Sequence, residues 1–139
     1  MEPAELQPGA EMPAREETPL TITDSVRYQG ASGDMNPMHH DADAARARGY
    51  ANAFTVGMLP AGALAVRVAA WIGGGYARRF AVRFRNQSWP GDTLSYSARV
   101  KELREAASGW EVDLALAVAN QDGTVCLDGE ATWVVPDGG

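Results

Sequence analysis

The sequence predicts an α+β domain in which a four-stranded antiparallel sheet wraps one buried helix. Three observations carry this reading. The stretch "MLPAGALAVRVAAWIGGG" (58–75) is apolar over helical length. Beyond about residue 79, apolar and polar residues alternate with the period of half-buried strands. The segments between the alternating runs, "WPGD", "EAASG" and "NQDG", are short turns, which join antiparallel neighbours. A chain of 139 residues suits one domain with one core.

The elements follow in order. Residues 1–17, "MEPAELQPGAEMPAREE", are rich in Glu, Pro and Ala and read as a flexible N-terminal arm, with the domain proper at 18–136. The arm has neither a basic start nor an apolar run, so it does not read as a signal peptide. Residues 19–22 are short and extended. Thr23 as N-cap and Asp24 in the first turn begin a helix that runs to about Gly30. "SGDMNP" breaks the chain, because Gly33, Asn36 and Pro37 are turn residues. "DADAARARGY" reads as a short helix capped by Asp41 and ending at Gly49.

The apolar helix, about 58–72, carries apolar residues on nearly every side and is expected to be buried on nearly every side. Its length suggests a membrane span. Arg67 near its middle, Pro60 near its start and the glycine run at its end argue for a buried helix of a globular protein instead.

Four strands complete the pattern. Phe80, Val82 and Phe84 alternate with Arg79, Ala81, Arg83 and Arg85; Leu94, Tyr96, Ala98 and Val100 alternate with Ser95, Ser97, Arg99 and Lys101. Trp110, Val112, Leu114, Leu116 and Val118 share a face, and Val125, Leu127, Ala131 and Trp133 share another. Asp122-Gly123 is a strong hairpin signal. Such a sheet has an exposed edge, and pairing of edges between two copies predicts a dimer.

Charge and cysteine content exclude some classes. The net charge is −6 and the pI about 4.8, which argues against nucleic acid or an anionic membrane as the main partner. Cys126 is the single cysteine, so the chain forms no internal disulfide and no cysteine metal cluster, and a reducing cytoplasm is the natural compartment.

Three places can carry chemistry. In "SGDMNPMHHD" (32–41), Asp34 and His39 lie five residues apart across a proline turn. In a bent loop both side chains can enter one cleft, where a carboxylate and an imidazole make a matched pair for moving a proton and a water together. Asn36 can hold the loop or the water, and Pro37 stiffens it. The same residues also satisfy a plain turn with an Asx hydrogen bond. Metal binding by His39, His40, Asp41 and Asp43 is a weaker reading, because adjacent histidines seldom reach one ion and the chain has no third histidine. In "TVGMLPAG", Gly57 leads into the apolar helix, whose first amides can hold a developing oxyanion; a plain helix start is the simpler reading. Arg79, Arg83 and Arg85 are either a solvated strand face or a clamp for the phosphate of a pantetheine carrier.

"YQGASGDMNPMHHDADAARARGYANAFTVGM" resembles the signature of the MaoC-like, (R)-specific enoyl-CoA hydratase family, and "VRFRNQSWPGDTLSYSARV" resembles its strand-turn-strand segment. The likeness spans about residues 20–135. It implies the hot-dog fold, a sheet wrapped around a central helix. It also implies reversible addition of water across the trans-2,3 double bond of an acyl thioester, giving a (3R)-hydroxyacyl product. By motif, Asp34 and His39 are then the acid/base pair, Asn36 and Ser32 support the loop, and the N–H groups of Gly57 and Met58 hold the thioester oxygen. Arg83 and Arg85 become possible carrier-phosphate contacts. The resemblance implies no metal and no redox cofactor, with CoA or phosphopantetheine entering as part of the substrate. It implies a homodimer or a heterodimer with another hot-dog subunit. His40 has no role assigned. Many members carry a histidine before the glycine of the "GM" pair, and here that position is Val56. Two alternatives stand beside this reading: a hot-dog acyl thioesterase, and a non-catalytic partner subunit of a heteromeric hydratase.

Overall fold

A computed structural model describes residues 5–15, 17–107 and 109–136. The described residues form α1 (Ile22–Ser32), a 3-10 turn (Pro37–His39), α2 (Ala42–Arg46), α3 (Met58–Ile72) and the strands β1 (Tyr76–Phe84), β2 (Ser95–Ala106), β3 (Gly109–Ala119) and β4 (Val125–Pro136). The strands make one antiparallel sheet in the order β1-β4-β3-β2. Among the described residues no helix is long and apolar enough to cross a membrane.

Local chemistry sets most boundaries. α1 is capped by Thr21 rather than Thr23: Thr21 and Asp24 form a reciprocal capping box, which needs the acid three residues after the cap. The helix continues past Gly30 and stops at Gly33, which takes a left-handed φ of 78° that costs glycine little. Asp41 caps α2 by accepting from the amides of Asp43 and Ala44, as expected. The β2–β3 hairpin turns at Ala106–Gly109, and the β3–β4 turn is held by the Asn120 side chain accepting from the amides of Asp122 and Thr124.

The core lies between one stripe of α3 and the sheet. Ala61, Leu64, Val68 and Ile72, spaced three and four apart, form one buried cluster with Val100 of β2, Val112, Leu114, Leu116 and Val118 of β3, and Leu127 of β4. Burial of this stripe is the main stabilising term of the domain. The opposite stripe is open: Val66 is 69% and Met58 52% exposed. The expectation of burial on nearly every side is therefore corrected, because the sheet of one chain covers only one side of its helix.

Three further expectations change. The run "WPGD" does not join neighbouring strands. β1 pairs with β4, and residues 85–94 cross from β1 to the far edge of the sheet before β2 begins. Val125 does not share the face of Leu127. Val118 pairs with Leu127 and Ala119 with Val125, so Cys126 is the extra residue of a bulge, 3% exposed while Val125 is 37% exposed. The arm is docked rather than loose over its described part. Leu6 is 1% exposed, and the backbone of residues 9–12 exchanges hydrogen bonds with Ala98 and Val100 of β2. This covers the β2 edge, whose unpaired amides and carbonyls would otherwise be open to another strand.

Candidate active site

Gly33 releases the chain from α1, and the following loop is tied by its own short polar side chains. The Ser32 hydroxyl accepts from the Asp34 amide, Asp34 Oδ1 from the Asn36 amide, and Asn36 Oδ1 from the Met38 amide. Asn36 thereby caps the 3-10 turn that carries His39. Ser32 and Asn36 thus shape the loop, and neither lines the cavity described below.

His39 is buried, and its Nδ1 lies 2.8 Å from the carbonyl oxygen of Phe54. A carbonyl only accepts, so Nδ1 carries the proton, and in the neutral ring Nε2 presents its lone pair. The Phe54 ring meets the imidazole edge-on at 4.9 Å between centroids. His39 Nε2 stands 3.8 Å from Asp34 Oδ2; the Asp34 side chain is about half exposed. The two residues that the sequence singled out therefore come together, with two acceptor atoms facing one another across a short gap.

Both border a cavity of about 370 Å³. Its walls are largely apolar, with Val56, Phe84 and Leu127 among them, and Gly57 and Met58 at the start of α3 also line it. The first amides of a helix have no acceptor within it, so they are available to an oxygen in this space. A Cβ on Gly57 would meet the Phe84 ring at 3.0 Å, so glycine lets that ring lie over the helix start. Val56, at the position where histidine is common in the resembling family, is 3% exposed and presents an apolar wall. Cys126 also lines the cavity, and burial pushes its thiol up, which keeps it neutral.

The arginines divide. Arg79, Arg83 and Arg85 line one groove on the sheet, and of the three only Arg85, paired with Asp128 at 3.0 Å, also lines the cavity.

Sequence reasoning missed Gln29. It is 2% exposed, and its Nε2 donates to the carbonyls of Asp34 at 2.7 Å and Asn36 at 3.0 Å. Its Oε1 faces His40 Nδ1 at 2.8 Å, which gives His40 the role the sequence left open. A buried glutamine in a short amphipathic helix, a few residues before the loop, is the signal that could have marked it.

Similarity to known proteins identifies the family. A family model, the MaoC like domain, matches residues 4–120. The chain is 28% identical over 124 residues to the mitochondrial 3-hydroxyacyl-[acyl-carrier-protein] dehydratase of Arabidopsis thaliana, covering 88% of this chain and 75% of that protein. The corresponding protein FERN of Solanum lycopersicum is 26% identical over 113 residues, covering 81% and 68%. Among solved structures, the R-hydratase PhaJ1 from Pseudomonas aeruginosa superposes with a TM-score of 0.81 at 29% identity, covering 96% of this chain and 84% of that one. The chain belongs to the MaoC-like domain family of dehydratases and hydratases, and its fold is the hot-dog fold.

Proposed function

We propose that this protein reversibly adds water to a trans-2-enoyl thioester of CoA or an acyl carrier protein, giving the (3R)-hydroxyacyl thioester. One observation carries the reading. With Nδ1 committed to Phe54, His39 Nε2 and an Asp34 carboxylate oxygen stand 3.8 Å apart in the lining of a largely apolar cavity. A water molecule has two hydrogens to give and suits that pair.

In hydration, the water donates one hydrogen to Asp34 and one to His39. His39 Nε2 takes its proton as the water oxygen bonds to C3. The electrons of the double bond move to C2 and the thioester oxygen, which the amides of Gly57 and Met58 stabilise. The imidazolium then returns the proton to C2, and the second hydrogen remains on the new hydroxyl beside Asp34. Dehydration runs through the same steps in reverse. These steps call on no metal or redox centre. The dehydratase relatives and the R-hydratase neighbour support the reaction class and the product configuration.

The working unit is proposed to be a homodimer in the cytoplasm. The open stripe of α3 and the outer edge of β1, where Tyr76 is 58% exposed, support the pairing of subunits. The ChsH1-ChsH2 complex from Mycobacterium tuberculosis, similar in fold, makes a heterodimer the competing assembly. Arg85 at the cavity wall, with Arg83 in the same groove on the sheet, is proposed to receive a carrier phosphate.

The test is loss of enoyl absorbance with crotonyl-CoA and a longer enoyl-CoA, with chiral analysis of the product. Asp34→Asn and His39→Ala are expected to lower kcat about 10³-fold while the folded structure persists. Equal turnover by wild type and both variants sinks the mechanism.

A further inference from the structure

Thr55 is 3% exposed, and its hydroxyl oxygen has no hydrogen-bond partner. It lines the same cavity as Asp34 and His39. Its backbone is pinned on one side, where its amide donates to the Ser88 carbonyl at 2.8 Å. The preceding carbonyl, that of Phe54, orients His39, and Gly57 follows two residues later.

A buried hydroxyl with nothing to bond costs stability, because it has given up water without replacement. Valine has nearly the same shape and avoids that cost. The fold therefore has no use for the Thr55 oxygen, and the neighbouring Val56 shows that an aliphatic side chain is accommodated in this wall. The oxygen is closed off from the cavity space as the side chain stands, and a turn about χ1 brings it to a polar atom of whatever fills the cavity. Ser25 supplies the contrast: its hydroxyl is also buried without a partner, but it lies on α1 and does not line the cavity.

We infer that Thr55 is a substrate-contacting residue whose hydroxyl donates a hydrogen bond to an oxygen of the acyl thioester, either the thioester carbonyl or the oxygen at C3. This rests on the acyl-thioester reading above. The hydroxyl hydrogen rotates freely enough to serve either atom. Ser88 also lines the cavity, but among the two lining hydroxyls only that of Thr55 is buried without a partner.

The experiment compares full-length wild type with Thr55→Val, Thr55→Ser and Ser25→Ala in steady-state hydration of crotonyl-CoA. Thermal melts and titration with the unreactive butyryl-CoA run alongside. Thr55→Val is expected to melt at or above the wild-type temperature, yet lose about tenfold in kcat/KM, the value of one hydrogen bond. Thr55→Ser retains most activity, and Ser25→Ala retains all of it. A fall in kcat at constant KM assigns the contact to the thioester oxygen, where charge grows in the transition state. A rise in KM with weaker butyryl-CoA binding also assigns it to the thioester oxygen, but already in the ground state. A higher KM for (3R)-hydroxybutyryl-CoA in the dehydration direction, with unchanged crotonyl-CoA KM and butyryl-CoA binding, assigns it to the oxygen at C3, which only the hydroxyacyl thioester carries. Wild-type kcat/KM in Thr55→Val, or equal losses in Thr55→Val and Thr55→Ser, overturns the inference alone. Wild type that neither turns over nor binds either thioester overturns it together with the proposed function.

Discussion

Two polar clusters touch α3, and they use their hydrogen-bonding capacity in opposite ways. At the middle of the helix, Arg67 is bonded through all three of its guanidinium nitrogens. Its guanidinium donates to both oxygens of Glu17 and to the Ala63 carbonyl, and it lies 4.0 Å over the Tyr96 ring. The space around it is only about 40 Å³. At the start of the helix, Asp34 and His39 face each other without a direct bond beside about 370 Å³. The Thr55 hydroxyl there has no partner. A cluster that closes on itself holds the fold together; one that leaves acceptors and a hydroxyl unmet, next to open space, is arranged for a ligand.

The largest effect on stability should come from the closed cluster. Arg67→Ala is expected to cost about 2–3 kcal/mol in denaturant unfolding, since it strands the Glu17 carboxylate and uncovers Tyr96. The kcat of the folded fraction should not change. A tenfold fall in kcat would erase the distinction between the two clusters. Adding Glu17→Gln measures the coupling, and purely additive losses would show that the pair is not a unit.

Gln29→Met comes next and sharpens the comparison from the other side. Methionine fills similar space but cannot hold the carbonyls of Asp34 and Asn36. About a tenfold loss of kcat is expected with KM little changed, equivalent to about 1.4 kcal/mol. Wild-type kcat with only a shifted melting temperature would reduce Gln29 to a space filler.

The smallest effect concerns α1, which leads into the loop. Thr21→Ala should cost about 1 kcal/mol by removing the cap. The hydrogen bonds from Thr21 hold the Asp24 carboxyl below the usual carboxylate range. A depressed folded-state value stabilises above the unfolded carboxylate pKa and is lost as pH falls through the folded one. The gap between wild type and Thr21→Ala should therefore narrow in acid unfolding below about pH 4. A gap that is constant with pH would mean that the Thr21–Asp24 pair contributes nothing through its charge.

The amino-acid sequence by itself determined what depends on near neighbours along the chain. The length of α3, the Asp41 cap, the hairpin at Asp122-Gly123 and the turn that brings Asp34 toward His39 all follow from residues a few positions apart. The capping box belongs to the same class: Thr21 and Asp24 carry its pattern, although Thr23 beside them reads equally as a cap. Only the tertiary structure decided the rest. Phe54, fifteen residues beyond His39, supplies the carbonyl that sets its tautomer. The crossing of residues 85–94 puts Ser88 against Thr55. The bulge at Cys126 moves Val125 off the core face, and the docked arm takes the β2 edge. Periods of two and of 3.6 say which side of an element is apolar, but not which element lies against it. That choice is made by the packing of the whole chain, and it is the packing that leaves the Thr55 hydroxyl unmet beside the cavity.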